Sequence, residues 1–240
     1  MSRDGAARTS TPASQTLSRG LTILELLAAA GSALAIDDVA AKLGVHRSVA
    51  YRLVRTLEQH RLVDRDPAGR IQLAAGLAAL GAAVNRDLQA VAAGALTGAA
   101  NELGMTCFLV VEDRGECITL LSVTPVRAVA SVAQRPGARH PVTVGAPGRA
   151  ILAILPEPEW PAAVPASVRD LVDEVRSRGY ATSEDEVLRN VRAAAVPLPV
   201  PGHRPMAVAA MHVAAGSTLD AEIAARLQQA VGAITAQLGG

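Results

Sequence analysis

The chain is poor in aromatic residues, with one Phe, one Trp and two Tyr among 240 residues. Proteins that hold single-stranded nucleic acid usually stack its bases on aromatic side chains, so that class of partner is not expected here. Half of the residues are hydrophobic, and nearly all of these are aliphatic. Ala, Val and Leu must therefore build the interior and the walls of any pocket.

Cysteines and long apolar runs are also scarce. Cys107 and Cys117 are the only two cysteines, and their spacing is not that of a metal site, so we interpret both as small buried hydrophobic residues. No apolar run reaches the roughly 18 residues of a membrane helix, and the amino terminus lacks the pattern of a secretory signal. We expect a cytoplasmic protein with no membrane partner, metal or cofactor.

Charge is nearly balanced overall, at +1, but it is distributed unevenly. Residues 1–75 hold ten basic and seven acidic residues, whereas residues 76–240 hold thirteen and fifteen. A basic amino-terminal part attached to a slightly acidic remainder is typical of a small DNA-contacting module joined to another domain.

Hydrophobic periodicity predicts three helices near the amino terminus. The first runs from Leu17 to about Ala30, and Gly31 ends it. Asp37 is placed to cap a second helix over residues 38–43. The third extends from about Arg47 to His60, and a hairpin follows, with strands over 62–65 and 70–73. Three helices and a hairpin make a winged helix-turn-helix.

The third predicted helix is amphipathic. Its apolar stripe at i, i+3, i+4 and i+7 consists of Ala50, Leu53, Val54 and Leu57. The opposite face carries groups that can hydrogen-bond base edges and phosphates in a major groove: Arg47, Ser48, Tyr51, Arg52 and Arg55. Arg65 and Arg70 flank the hairpin tip. The alternative is an ordinary solvated amphipathic helix.

Residues 75–100 are Ala-rich with helical periodicity, along the apolar line Leu77, Leu80, Val84 and Leu88. We expect a linking helix, which either pairs with a second chain or packs only against its own domain. Beyond it, strands and helices alternate in an α+β pattern. Strands are predicted over 105–112, 116–123, 127–133, 141–144, 193–200 and 206–213, and helices over 150–155, 168–178 and 219–238.

Several motifs, taken in order, resemble the IclR (isocitrate lyase regulator) family of bacterial transcription factors. In the first half these are residues 17–21 (LSRGL), 23–25 (ILE), 39–44 and 47–57. In the second half they are residues 104–106 (GMT), 137–141 (GARHP), 148–150 (GRA), 176–181, Glu186 and 195–197 (AVP). The resemblance implies a winged helix-turn-helix, a linking helix and a GAF-like effector-binding domain. It also implies a homodimer or a dimer of dimers that binds double-stranded operator DNA and a small organic effector.

The resemblance also implies site residues. Recognition positions fall on Arg47, Ser48, Val49, Tyr51 and Arg52. Effector contacts fall on Met105, Thr106, Val144, Gly145, Ala146, Gly148, Arg149, Asp185 and Glu186. One region has independent physical support: Pro147 suits the first position of a helix, whose free amides at Gly148, Arg149 and Ala150 can hold a carboxylate. The effector is therefore expected to be a small organic acid or an apolar metabolite.

These patterns divide the chain into a disordered tail (1–14), a DNA-binding domain (15–75), a linker helix (76–95) and an effector-binding domain (96–240). Two other functions remain open. The second domain could serve only to assemble a regulator that needs no effector. An enzyme is the other alternative, but the five His form no metal-binding pair, and no G-x-S-x-G, P-loop or dinucleotide-binding motif is present. No catalytic residues are predicted.

Overall fold

The computed structural model describes residues 14–127, 132–213 and 220–238, and the fold is α+β. The chain divides into two compact units, one ending at Val84 and the other beginning at Asn85. The predicted tail up to residue 13 and part of the strand predicted at 127–133 lie outside the described residues.

The first unit is a winged helix-turn-helix, as the sequence predicts. Its elements are α1 (Gln15–Ala30), α2 (Ile36–Leu43), α3 (Arg47–Gln59), β1 (Val63–Arg65), β2 (Ile71–Leu73) and α4 (Ala75–Gly81). The two strands pair antiparallel, and Leu34 bridges to Ile71 at their edge. The core of this unit consists of Ile23, Leu27, Val39, Leu53, Val54, Leu57, Val63 and Ile71.

The ends of α1 and α2 show why these helices start and stop where they do. The side chain of Ser14 caps α1, and Gly31 and Gly44 adopt the left-handed conformation that follows each helix. The prediction that Asp37 caps α2 is wrong. That helix starts at Ile36, two residues earlier than predicted, and Ala35 precedes it. Asp37 instead lies in the first turn, where its carboxylate pairs with Arg47.

The predicted linking helix is interrupted. After α4, residues 82–85 form turns, and Asn85 has φ 48°, so the next helix, α5, spans Arg86–Leu103. None of the α4 residues is buried. Of the predicted apolar line, Leu80 and Val84 are 61% and 50% exposed, and Leu88 alone is fully buried. The left-handed conformation of Asn85 ends the helical path, although the spacing of apolar residues predicts one continuous helix.

The second unit is built on a six-stranded antiparallel sheet in the order β5-β4-β3-β8-β7-β6. The strands are β3 (Thr106–Asp113), β4 (Glu116–Val123), β5 (Arg139–Pro141), β6 (Ala181–Glu184), β7 (Val191–Leu198) and β8 (Met206–Val213). The helices after α5 are α6 (Gly145–Ile154), α7 (Ala166–Arg178) and α8 (Asp220–Leu238), with a short 3₁₀ turn at Glu157–Glu159.

Helices cover both faces of this sheet. Successive side chains of a strand point to opposite faces. Accordingly, Cys107 and Leu109 pack with α5 and α8, whereas Phe108 and Val110 pack with α6 and α7. The two cysteines lie in these two separate layers, both free and buried, as predicted.

The segment before α6 differs from the prediction. The strand expected at 141–144 is at Arg139–Pro141, and the helix expected at 150–155 already begins at Gly145. Pro147 is therefore the third helical residue, not the first. Gly145 has φ 82°, a conformation that suits glycine. The helix starts early because its first amides find partners far along the chain.

Candidate nucleic-acid interface and ligand site

The exposed face of α3 carries the polar residues that the sequence predicts. Ala50, Leu53, Val54 and Leu57 are buried. Arg47, Ser48, Tyr51, Arg52 and Arg55 are all exposed. Val49, which the resemblance adds to this set, is half-buried and packs against the core. The residues expected to contact DNA therefore form one polar surface with a partly apolar edge.

His46 fixes the amino-terminal end of this surface, a role that the sequence analysis missed. Its Nδ1 atom accepts from the Ser48 backbone N–H at 3.3 Å and lies 2.9 Å from the Ser48 hydroxyl. This is the position of a helix cap, where Ser, Thr, Asp and Asn are the usual residues. Because His is uncommon there, no sequence pattern pointed to this role.

Three of the predicted basic residues are held by acidic partners. Arg47 pairs with Asp37 at 2.8 Å, Arg65 with Glu58 at 2.7 Å, and Arg70 with Asp66 at 2.9 Å. The Arg65 guanidinium also lies 5.8 Å from the centre of the Tyr51 ring. Within the described parts of the chain, Arg52 and Arg55 make no ion pair, so their guanidinium groups are the most available to a polyanion.

Asp66 organises the tip of the β1–β2 hairpin. Its Oδ1 atom accepts from the backbone amides of Arg70 and Ala68, both at 2.9 Å, and Oδ2 accepts from Arg70 Nε. Hydrogen bonding by the Arg70 amide, together with the nearby Arg70 charge, lowers the pKa of this carboxyl. The carboxylate thus fixes the hairpin turn and the base of the Arg70 side chain together.

Arg19 of α1 is a second residue that the sequence analysis did not propose for this surface. It lines a cleft together with Thr16, Val49, Arg52 and Thr56. The cleft joins the amino-terminal part of α1 to the polar face of α3. Helical periodicity places Arg19 outside the core, but only the packing of α1 on α3 brings it beside Arg52.

The second unit contains a partly buried ion pair. Arg149 is 3% exposed, and its guanidinium donates to both carboxylate oxygens of Glu186, at 2.8 and 2.9 Å. It also donates to the carbonyl oxygen of Thr182. Glu186 Oε2 additionally accepts from the Gly145 amide at 2.9 Å, and Ser183 Oγ accepts from the Ala146 amide at 3.0 Å. The turn after β6 is thereby tied to the start of α6.

This geometry corrects the reason for expecting a bound carboxylate. The first amides of α6 do form an anion site, but they are those of Gly145 and Ala146, and the protein's own Glu186 and Ser183 occupy them. Burial raises the pKa of Glu186, but the hydrogen bonds from Arg149 and Gly145 and the Arg149 charge outweigh burial, so the net pKa is lowered. Glu186 is therefore a carboxylate at neutral pH.

A narrow cavity of about 30 Å³ lies beside this ion pair. It is lined by Phe108, Gln134, His140, Pro147, Ser183, Glu186, Val187, Leu188, Val191, Ala193 and Met211. Of these residues, only Glu186 is an effector contact that the sequence predicts. The others come from α6, from strands and from loops that meet only in the folded unit.

The other predicted effector residues lie in different surroundings. Met105 packs in the layer of α5 and α8, whereas Thr106 is buried and donates to the Val132 carbonyl at 2.8 Å. Asp185 accepts from the Asn190 amide within its own loop. Val144 directly precedes α6, and a Cβ on Gly148 would lie 2.0 Å from the Val142 carbonyl oxygen. Gly148 therefore allows close backbone packing.

Other kinds of site receive no support from the described residues. These residues contain no cluster of three His, Cys, Asp or Glu able to hold a metal ion. Burial raises the pKa of each cysteine thiol to about 12, which disfavours the reactive thiolate. Among the described helices, none is both long and apolar enough to cross a lipid bilayer.

Family models match both units. The model of the IclR helix-turn-helix domain matches residues 16–67, and that of the bacterial transcriptional regulator IclR C-terminal domain matches residues 80–237. The HTH-type transcriptional regulator XynR of Escherichia coli (strain K12) is 30% identical, over 95% of this chain and 98% of its own. A glycerol operon regulatory protein of Streptomyces griseus is 32% identical, over 83% of this chain and 84% of its own.

Solved structures agree with the architecture. An IclR transcriptional regulator from Alicyclobacillus acidocaldarius has a TM-score of 0.81 and 27% identity, covering 94% of this chain and 99% of its own. An IclR homologue from Microbacterium hydrocarbonoxydans, solved in complex with 4-hydroxybenzoate, has a TM-score of 0.78 and 20% identity, with the same coverage. The relatives matched in sequence are named as regulators, not enzymes. The chain belongs to the IclR family of DNA-binding transcriptional regulators.

Proposed function

We propose that this regulator reads its operator with the exposed face of α3, led by Arg52 and Arg55. The observation that carries the proposal is that, in the described chain, these two arginines have no acidic partner, whereas Arg47, Arg65 and Arg70 each have one. Ser48, Val49 and Tyr51 share the recognition surface, and Arg65 and Arg70 of the hairpin contact the DNA backbone. We also propose that it acts in the cytoplasm, where a bacterial regulator meets its operator DNA.

Substitutions at Arg52 and Arg70 test these roles by operator binding in a salt titration. If Arg52 pairs with a guanine, Arg52→Ala should cost about 1–3 kcal/mol and relax the preference at that base. Arg52→Lys is the matched control, because Lys keeps the positive charge but lacks the planar guanidinium group that can pair with a base through two hydrogen bonds.

Arg70→Ala should weaken binding to all DNA sequences alike and reduce the salt dependence of binding. Unchanged binding by both Ala variants contradicts the assignment.

We further propose that a small organic effector modulates operator binding from the second unit. The cavity beside Arg149 and Glu186 is the best-supported place, because apolar side chains and a few polar groups line it together. The Microbacterium homologue with its bound 4-hydroxybenzoate makes a small molecule a reasonable expectation in this fold. Met105, Thr106, Val144, Gly145, Ala146, Gly148 and Asp185 stay predicted effector residues, of which Gly145 and Ala146 contact cavity-lining side chains directly.

A thermal-shift panel of organic acids, alcohols and amines tests the effector. A ligand that binds only the folded protein raises its melting temperature by mass action. Ala193→Leu, which places a larger side chain in the cavity wall, should abolish the shift. Absence of any shift across the panel would favour the alternative in which the second unit only assembles the protein.

We propose a homodimer or a dimer of dimers as the DNA-binding form. The support is α4, an apolar helix with no buried residue in its own chain, followed by Val84, which is 50% exposed. A contiguous exposed apolar surface of this kind is typical of an interface, and duplex readers with a helix-turn-helix usually bind two half-sites. Sedimentation equilibrium of the wild type and of Leu80→Glu checks it, and a monomeric wild type would refute it.

A further inference from the structure

The polar groups around the cavity in the second unit mostly accept hydrogen bonds. The Glu186 carboxylate can only accept. His140 Nδ1 lies 3.0 Å from the Pro141 carbonyl oxygen. Because a carbonyl oxygen can only accept, Nδ1 carries a proton, and in that tautomer Nε2 is an acceptor.

Gln134 and Ser183 complete the polar set. Gln134 Nε2 donates one of its two hydrogens to the Thr119 hydroxyl at 2.7 Å, which leaves the second N–H as a donor and Oε1 as an acceptor. Ser183 Oγ already accepts from the Ala146 amide, so its hydroxyl hydrogen is the donor that it can offer. The lining therefore presents three acceptor groups and two donors, the Ser183 hydroxyl and one Gln134 N–H.

A carboxylate ligand fits this lining poorly. The Glu186 carboxylate fills the anion site at the start of α6, where it accepts hydrogen bonds from the Gly145 amide and the Arg149 guanidinium. A second carboxylate nearby would face this charge and the other acceptors, with only the Ser183 hydroxyl and one Gln134 N–H to bind it. Like charges close together in a partly desolvated site destabilise each other.

An ammonium ligand also gains little. The Glu186 charge is already compensated by Arg149, so the cavity offers no unpaired anion to replace the hydration that a cation loses on entry. A hydroxyl group has neither problem. It can donate to an acceptor of the lining and accept from Ser183 without bringing a net charge into the cavity.

We infer that the cavity binds a small uncharged hydroxyl compound, an alcohol, polyol or phenol, and not a small organic acid, which was one of the two effector classes that the sequence suggested. The inference rests on the proposed effector site. Phe108, Val191 and Met211 would contact the carbon skeleton. The present volume holds only about two water molecules. A larger skeleton must displace side chains, and Val187 and Leu188, which are 46% and 42% exposed, have room to move.

Isothermal titration calorimetry on the full-length protein tests the ligand class with compounds that share a skeleton. One set is benzyl alcohol, benzoate and benzylamine, and a smaller set is propane-1,2-diol, lactate and 1-aminopropan-2-ol. In each set that binds, we expect the alcohol to bind at least about ten-fold more tightly than the acid and the amine, because a single unfavourable polar contact costs that much.

Two variants sharpen the test. Glu186→Gln removes the internal carboxylate and leaves Arg149 without its counter-charge, so the preference should shift toward the acid. Ser183→Ala removes the hydroxyl that donates to the ligand, so it should weaken alcohol binding by at least about three-fold. If circular dichroism shows that Glu186→Gln fails to fold, the result for Ser183→Ala tests the inference instead.

The outcomes separate this inference from the proposed function. An acid that binds the wild type more tightly than its matched alcohol overturns the inference but leaves the effector site in place, as does alcohol binding that Ser183→Ala leaves unchanged. No binding by any of the six compounds, together with no thermal shift in the wider panel, overturns the effector site itself.

Discussion

Gly148 lies among the predicted effector contacts, but the structure gives it a packing role. A Cβ there would lie 2.0 Å from the carbonyl oxygen of Val142 and 2.7 Å from the carbonyl carbon of the same residue. Both are backbone atoms, which cannot rotate away. We expect Gly148→Ala to lower the free energy of unfolding by about 1–3 kcal/mol, as overpacking does. Urea denaturation followed by circular dichroism measures it.

The control for Gly148 is Gly94, which lies in the interior of α5, where an added methyl group would have nothing within 4 Å. Gly94→Ala should be neutral or stabilise the protein by up to about 1 kcal/mol, because Ala favours helix more than Gly does. If Gly148→Ala were as stable as the wild type yet lost effector binding, Gly148 would be a ligand contact and not a packing residue.

The pair of Glu186 and Arg149 predicts how stability depends on pH. The pKa of Glu186 is lowered from 4.5 in the folded protein, so the pair stabilises the fold fully above pH 4.5 and loses this contribution as the pH falls through the folded value. At pH 7, Glu186→Gln should lower the free energy of unfolding by roughly 2 kcal/mol. Breaking a fully buried pair would lower it more, but the Glu186 side chain is 34% exposed.

The check on Glu186 is a series of urea denaturations from pH 7 down to about pH 3. The difference between wild type and Glu186→Gln should shrink below pH 4.5. Glu184→Gln, which removes a more exposed ion pair with Arg192, should cost little at neutral pH. A constant difference between wild type and Glu186→Gln over the whole range would contradict the ion-pair explanation.

At the scale of elements, α2 and α3 are joined through Asp37 and Arg47, and both side chains are well exposed. The pair contributes little to stability, but it places the Asp37 carboxylate 2.8 Å from Arg47, on the surface proposed to contact DNA. We expect Asp37→Ala to tighten operator binding by about three- to five-fold at low salt, or about 1 kcal/mol or less, because it frees Arg47 and removes a repulsive charge.

Asp38→Ala is the matched control for this effect, since Asp38 belongs to the same first turn of α2 but Arg47 pairs with Asp37. Fluorescence anisotropy with a labelled operator measures both variants. Weaker binding by Asp37→Ala would mean that the ion pair positions Arg47 for the DNA and does not compete with it.

Elements with a strong local pattern were predictable, and those fixed by distant partners were not. The stripe of Ala50, Leu53 and Leu57 was sufficient to place α3 and its polar face. The early start of α6 depends on Glu186 and Ser183, about forty residues away, as hydrogen-bond acceptors. The break before α5 depends on one left-handed Asn, which the Ala-rich periodicity around it conceals.

At the scale of the whole molecule, the chain has two compact units, with the candidate DNA surface in one and the cavity in the other. Of the cavity lining, the sequence predicted only Glu186, and it did not predict that Glu186 pairs with Arg149. Gln134, His140 and Met211 come from three separate segments. Single-sequence patterns contain no information about which loops meet, so a site assembled from many of them escapes prediction.

Because the two sites lie in separate units, regulation requires a coupling free energy between them, and coupling is reciprocal. We expect the compound that binds most tightly in calorimetry to change the operator Kd by about five- to 150-fold. A saturating operator should change the compound's Kd by the same factor, measured by calorimetry with and without DNA. Ala193→Leu, with its altered cavity, should keep operator binding and lose the response. Equal operator affinity with and without bound compound would show that the cavity binds small molecules without regulating DNA binding.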